Sequence, residues 1–246
     1  MRFLILSLLI QAALIIHVVK TGRNQIWIWV LALLSLPGAL AYIVVEIVPD
    51  LLRSRTAQRV SRSVRRAIDP GRELRRYQSE VRIGGNVASR QRYAEELVRH
   101  QRYDEAIAQY GEALTGLYEH DPNLMLGLAQ AQFGKGDAAA ARATLDELIR
   151  HNPDFRSPAG HLLYARALEA EGNVAKALEE YAVLAPSYPG AEASVRYAQL
   201  LEAQGRLAEA QKVARELLEQ ARIAPAHYRR AQRSWLDTAE RLAAGS

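Results

Sequence analysis

The chain has 246 residues, of which 49% are apolar, with a formal net charge of +5 and no cysteine. The lack of cysteine excludes disulfides, cysteine-ligated zinc, iron–sulfur clusters and thiol nucleophiles. The charge is uneven, since residues 1–85 hold 13 Lys and Arg against 5 Asp and Glu, and residues 86–246 hold 19 against 22. A nucleic-acid binder would carry its basic residues over its folded face, so we expect no nucleic-acid partner.

Residues 1–49 are strongly apolar. Two apolar runs, residues 3–19 and 26–48, are separated by a short polar connector. A bilayer core about 30 Å thick is crossed by about 20 apolar residues in a helix, so we predict a transmembrane hairpin over residues 1–49. Trp27 and Trp29 would lie at headgroup depth. The alternative is that the first run is a cleaved secretory signal, although no small-x-small cleavage site precedes Lys20.

This segment also carries a family resemblance. The residues Trp27-Ile28-Trp29, Leu36-Pro37-Gly38 and Tyr42 resemble the two-helix N-terminal segment of phospholipase D-type proteins such as cardiolipin synthases. The resemblance implies a shared membrane anchor. The activity of that family needs His-x-Lys-x4-Asp motifs, and none of the six histidines here is followed two residues later by Lys. No catalysis is therefore implied.

Residues 50–85 form an arginine-rich neck. Its nine clustered arginines are Arg53, Arg55, Arg59, Arg62, Arg65, Arg66, Arg72, Arg75 and Arg76. Such an excess after a membrane span predicts a cytoplasmic neck, and a hairpin then places the N-terminus on the same side. We expect lipid contact through residues 1–76, with Arg53, Arg55, Arg59, Arg62, Arg65 and Arg66 near anionic headgroups. The alternative is a spacer that only fixes membrane topology.

Residues 86–246 contain a helical repeat. Ala94, Ala129, Ala165 and Ala198 recur at spacings of 35, 36 and 33, and Ala106, Ala141, Ala177 and Ala210 follow them 12 residues later across a polar turn. A side chain larger than alanine would push two crossing helices apart, so these positions predict the crossings of helical hairpins. Because one hairpin cannot bury its apolar face alone, several must stack.

The repeat resembles the tetratricopeptide repeat over about residues 86–225. Pro153 and Pro189 fall where that repeat usually closes, whereas its typical fourth-position tryptophan is replaced by Arg90, Met125, His161 and Ser194. The resemblance implies an all-α solenoid of about four hairpins after the transmembrane hairpin. In the first copy, the second helix is expected to extend toward Asp121. Residues 225–244 predict a capping helix in which Tyr228, Trp235 and Leu242 pack on the fourth hairpin.

In tetratricopeptide proteins the first helices of the hairpins line a groove that binds peptides or partner helices. The register places Gln91, Glu95, Leu126, Gln130, Leu162, Arg166, Val195 and Gln199 on that groove. Family members that clamp a C-terminal carboxylate use Lys and Asn where this chain has Gln91 and Glu95, so a clamp for chaperone tails is not expected. The alternative is that the groove side chains are only solvated.

The sequence shows no catalytic constellation. It lacks a glycine-rich phosphate loop, a G-x-S-x-G elbow and a histidine pair at metal-ligand spacing. We therefore expect a chain that is not an enzyme and that needs no metal or cofactor.

These observations favour a multi-pass inner-membrane protein whose cytoplasmic repeat domain, residues 86–246, binds partner proteins as a scaffold or adaptor. Self-association is left open. One alternative is a periplasmic-facing assembly or chaperone factor, which would require translocation of the arginine-rich neck. Another is an accessory protein for phospholipid-synthesising enzymes, which only the N-terminal resemblance supports.

Overall fold

The computed structural model describes residues 71–245 and eight isolated positions before them, namely 14, 16, 18, 20, 27, 30, 31 and 45. The predicted transmembrane hairpin, apart from these positions, and neck residues 50–70 lie outside the described residues. None of the helices that can be described combines the length and the apolar character needed to cross a membrane. The chain divides into two units, Met1–Arg72 and Glu73–Ser246, and the fold below concerns the second.

Residues 71–245 form eleven α-helices and a 3-10 turn, with no strand in that range. The helices are α1 (Arg72–Gly84), α2 (Val87–Arg99), α3 (Tyr103–Ala113), α4 (Pro122–Lys135), α5 (Ala138–His151), α6 (Pro158–Ala170), α7 (Val174–Leu184), α8 (Glu192–Ala203), α9 (Leu207–Ile223), α10 (Ala226–Ala231) and α11 (Arg233–Ala244). Four consecutive hairpins are formed by α2–α3, α4–α5, α6–α7 and α8–α9. Each second helix also packs on the first helix of the next hairpin. This part of the chain is therefore the all-α solenoid that the repeat predicts.

The eight alanines of the repeat lie at the helix crossings. Ala94, Ala129, Ala165 and Ala198 on the first helices are 0% exposed, and their counterparts on the second helices are at most 2% exposed. Four residues after each second alanine, the side chains of Tyr110, Leu145, Tyr181 and Ala214 are also buried. Small residues at the crossings let the helix axes approach, and the larger residues fill the space beside them.

The turn inside each hairpin is closed in the same way four times. A backbone N–H just after the turn donates to a carbonyl five residues earlier, in the pairs Arg102–Leu97, Asp137–Gln132, Asn173–Leu168 and Arg206–Leu201, at 2.9–3.0 Å. This bond needs a residue with positive φ before it. Glycine takes that position in three hairpins, and Gln101 takes it in the first, with φ of 59°.

Side chains cap the helices that begin the second and third hairpins. The Asp121 carboxylate accepts hydrogen bonds from the backbone N–H groups of Asn123 and Leu124, and the Ser157 hydroxyl accepts one from Gly160. Pro122 and Pro158 follow as the first helical residues, where a missing N–H costs nothing. These caps fix where α4 and α6 begin.

Helix α1 covers the start of the solenoid. Its residues Leu74, Tyr77 and Val81 pack against the core of the first hairpin. Residues 72–84 fall within the predicted neck, residues 50–85, because of their arginines. Their apolar side chains, spaced three and four residues apart, form one helical face.

Two details of the helix pattern differ from the sequence analysis. Helix α3 ends at Ala113 instead of extending toward Asp121, and a 3-10 turn at Gly116–Tyr118 lies in the connection that follows. The C-terminal cap is two helices, α10 and α11, that meet at Gln232. The side chain of Gln232 accepts a hydrogen bond from the backbone N–H of Ala191 at 3.1 Å, so the break between the helices also holds the start of α8.

Trp235 and Leu242 pack on the core of the fourth hairpin, as expected for a cap. Tyr228 lies on the short helix α10, is partly exposed and is not part of that core.

Candidate functional site

The eight predicted groove residues fall into distinct environments. Leu162 and Val195 are only 4% and 1% exposed and belong to the hydrophobic core. Gln130 and Gln199 are exposed. Leu126 is partly exposed and lines a cavity between the second and third hairpins.

The remaining three predicted groove residues take part in side-chain contacts. The amide of Gln91 donates to the carboxylate of Glu95 at 3.0 Å, one turn apart on α2. The guanidinium carbon of Arg166 lies 4.8 Å from the ring centroid of Phe133 and its Nη1 lies 3.6 Å from the carboxylate of Glu192. The structure therefore ties these side chains to their neighbours, and their contact with a partner stays a prediction.

A charged network runs along the first helices of the third and fourth hairpins. Arg196 pairs with Glu192 at 2.8 Å and with Glu169 at 3.5 Å. The hydroxyl of Tyr181 donates to Glu169 at 2.6 Å. Burial, followed by this hydrogen bond, raises the pKa of Tyr181. Because these charges are largely satisfied by one another, the network serves to hold the two hairpins together.

The cavity between the second and third hairpins, called the interhairpin cavity here, has a volume of about 450 Å³. Its walls are apolar and aromatic side chains from α4 to α7 and from the loops between them, namely Leu126, Leu145, Leu148, Ile149, Phe155, Tyr164, Leu184 and Tyr188. Arg156, Ser157, His161, Glu180 and Ser187 supply the polar part. Binding sites are commonly concave, mainly apolar and of about 300–1,000 Å³, so this cavity is the candidate binding site.

The fourth position of the repeat contributes to the cavity wall in the third copy. In the second copy this position is Met125, which is 5% exposed and fills the core, and in the fourth copy it is Ser194, which donates to the carbonyl of Ala185 at 3.1 Å. In the third copy it is His161, whose Nε2 lies 2.6 Å from a carboxylate oxygen of Glu180 on α7. The imidazole is thus held by Glu180 at the cavity wall, where the family usually has a tryptophan.

Tyr164 lies one turn after His161 and connects the cavity wall to the second hairpin. Its hydroxyl donates to the carboxylate of Asp146 at 2.9 Å. Burial, followed by this hydrogen bond, raises the pKa of Tyr164 to about 12. Tyr164 therefore lines the cavity while its hydroxyl is held by the second hairpin.

Leu126 is the one cavity-lining residue that is also a predicted groove residue. Phe155 and Tyr188 lie in the loops after α5 and α7, outside the helical register from which the groove was predicted. Their signal in the sequence is an aromatic residue within two positions of each closing proline, Pro153 and Pro189. The predicted lipid-contact residues Arg53, Arg55, Arg59, Arg62, Arg65 and Arg66 lie outside the described residues.

Residues 97–160 match the protein-family model described as tetratricopeptide repeat. The match covers 64 of the 246 residues, so similarity to that family is shown for this segment. Two solved structures are similar to it, a thermophilic TPR protein from Thermus thermophilus and PilF of Pseudomonas aeruginosa. The Thermus protein is 20% identical in sequence, with a TM-score of 0.49. The matched region covers 70% of this chain and 87% of the Thermus protein. PilF is 19% identical in sequence, with a TM-score of 0.49, and the matched region covers 64% of this chain and 71% of PilF.

No curated protein matches the chain, and none of the comparisons supports the resemblance of residues 1–49 to phospholipase D-type proteins. Tetratricopeptide repeats serve as protein-binding scaffolds. The matched segment, residues 97–160, ends within α6 and so includes most of one wall of the interhairpin cavity.

Proposed function

We propose that this chain is a scaffold that binds a partner protein in the interhairpin cavity. The observation that carries the proposal is an open apolar cavity of about 450 Å³ in a repeat domain. A partner side chain in the cavity would remove its apolar walls from water. Burying apolar area in this way stabilises a complex by about 25 cal/mol per Å². The cavity walls come from two adjacent hairpins, so their relative position determines its shape.

The proposal includes attachment to the inner membrane. Residues 1–49 would form the transmembrane hairpin, and the arginine-rich neck would hold the repeats on the cytoplasmic side. The apolar runs and the charge asymmetry of the sequence support this part. The bound partner would then be concentrated at the membrane.

Site-specific photocrosslinking tests the binding site. A photoreactive amino acid at Ile149, which is 55% exposed at the cavity, should crosslink to one discrete partner protein in intact cells. The matched control is Val183, which is 63% exposed on α7 but does not line the cavity. Equal crosslinking from both positions, or none from Ile149, would contradict binding at the cavity.

A topology reporter tests the membrane part. Alkaline phosphatase fused after Ser246 should be inactive, because that enzyme needs the periplasm, and a cytoplasmic reporter at the same site should be active. Active phosphatase would contradict the cytoplasmic orientation and favour the periplasmic alternative. Recovery of the unfused chain in the soluble fraction of lysed cells would contradict the anchor.

A further inference from the structure

The mouth of the interhairpin cavity carries an arginine that has no carboxylate partner among the described residues. Arg156 is exposed in the loop between α5 and α6, and its Nη1 donates to the backbone carbonyls of Pro153 at 2.5 Å and Phe155 at 3.4 Å. The nearest carboxylate in the sequence, Asp154, forms no ion pair with it. These carbonyl bonds hold the guanidinium beside the cavity and leave its charge uncompensated within the described part of the chain.

Each of the seven other arginines in the first three hairpins makes an ion pair with a carboxylate. Ion pairs are made by Arg90, Arg92, Arg99, Arg102, Arg142, Arg150 and Arg166. An arginine without an ion pair at the edge of an apolar cavity therefore departs from the pattern of these three hairpins, residues 87–184. Arginine favours carboxylates because its planar fork matches both oxygens.

The carboxylate that lines the cavity is not free to balance Arg156. Glu180 is held by His161 at 2.6 Å. The polar side chains that the described residues contribute to the cavity therefore comprise a paired histidine and glutamate, two serine hydroxyls and one unpaired cation. A negatively charged group on the occupant would supply the missing partner.

We infer that the occupant is a segment of a partner protein in which large apolar side chains stand beside an acidic residue. This inference rests on the proposed function. The apolar side chains fill the cavity against Phe155 and Tyr164, and the carboxylate binds the guanidinium of Arg156. The apolar contacts supply most of the affinity, whereas the ion pair selects which segments bind.

Peptide selection tests this chemistry while the partner itself is still unidentified. A random peptide library on phage is selected against the full-length protein in mild detergent and, in parallel, against the variant Arg156→Glu. Peptides selected by the original chain should combine apolar residues with a neighbouring Asp or Glu. Peptides selected by Arg156→Glu should keep the apolar residues but carry Lys or Arg at the neighbouring position.

Synthetic fluorescent copies of the selected acidic peptides then give affinities by anisotropy. Arg156→Glu should weaken their binding about tenfold or more, since a hydrogen bond to a charged group contributes that much. Arg156→Lys should lose less, because it keeps the charge without the fork. The matched control is Arg215→Glu on α9, an exposed position away from the cavity, which should leave the affinity unchanged. Circular dichroism of each variant confirms its helical content.

The outcomes separate the inference from the proposed function. Apolar peptides that bind in the cavity with no preference for an acidic neighbour, and equally well to Arg156→Glu, would overturn the inference and leave the proposed function standing. Peptides whose binding is unchanged when the cavity is filled by His161→Trp, or no selected peptides at all, would overturn both.

Discussion

The ring of Tyr110 on α3 lies directly against the backbone of Gly127 on α4. A Cβ placed on Gly127 would stand 2.6 Å from Cε1 of Tyr110, closer than two carbon atoms can approach. Tyr110 is 2% exposed and is enclosed by its own hairpin and the next. The glycine is therefore what allows the first two hairpins to stack.

We predict that Gly127→Ala destabilises the domain although alanine is the better helix former. Overpacking a buried site costs about 1–3 kcal/mol, which exceeds the gain of about 1 kcal/mol in helix propensity. The matched control is Gly111→Ala on α3, where a Cβ would meet nothing within 4 Å and the same gain should appear as higher stability. Urea unfolding measures both. An increase for Gly127→Ala would contradict the close approach.

Gln101 gives a second prediction, at the turn of the first hairpin. A non-glycine residue with φ of 59° is strained by about 1–2 kcal/mol. Gln101→Gly should relieve this strain, although glycine loses more conformational entropy on folding. The net effect should be a rise in the free energy of unfolding of a few tenths to about 1 kcal/mol. The reverse change, Gly172→Ala at φ of 76° in an open position, should lower it by a similar amount. A lower thermal midpoint for Gln101→Gly would count against this account.

The repeat can be predicted from the sequence because the alanines occupy the same helix crossing in every hairpin. The crossing at Ala94 is repeated at Ala129, Ala165 and Ala198, and the helical period reveals it. The turn at Gln101 lies where the sequence predicts the polar turn between Ala94 and Ala106, and the three equivalent turns contain glycine.

Contacts made only once could not be predicted from the period. The bond from Ala191 to Gln232 joins residues 41 positions apart and splits the expected capping helix in two. The contact between His161 and Glu180 at the cavity wall is also one that the register does not specify. The repeat register predicts Leu162 and Val195 on the groove. In the structure, neighbouring helices bury both side chains.

The buried tyrosines predict a loss of stability at high pH. Burial raises the pKa of Tyr181 and Tyr110 above 10.0, and that of Tyr164 rises to about 12. Above pH 10 the unfolded chain therefore releases phenolic protons that the folded chain retains, so the free energy of unfolding falls as pH rises. The stabilising contribution of the buried phenols is fully present below pH 10. For Tyr164 it is lost progressively as the pH rises from 10 to about 12.

Urea unfolding at a series of pH values measures this effect. The decline above pH 10 should be shallower in Tyr181→Phe than in the original chain, because one of the retained protons is removed. The exposed tyrosine Tyr118 provides the control, since Tyr118→Phe should leave the slope unchanged. Identical slopes in all three proteins would show that the buried phenols do not govern alkaline stability.

The fourth position of the repeat gives the last prediction, in which the same substitution is made at an open and at a filled site. His161→Trp places a large ring at the wall of the interhairpin cavity, where about 450 Å³ is available, so the domain should keep its stability. Met125→Trp makes the change where the side chain is 5% exposed and should destabilise the domain by about 1–3 kcal/mol through overpacking.

His161→Trp also leaves Glu180 without its imidazole partner, and the double variant with Glu180→Gln separates that effect from filling of the cavity. Unfolding in urea and peptide affinity by anisotropy are measured on the same preparations. Equal destabilisation by the two tryptophans would mean that the cavity has no room for a side chain, and therefore none for a partner.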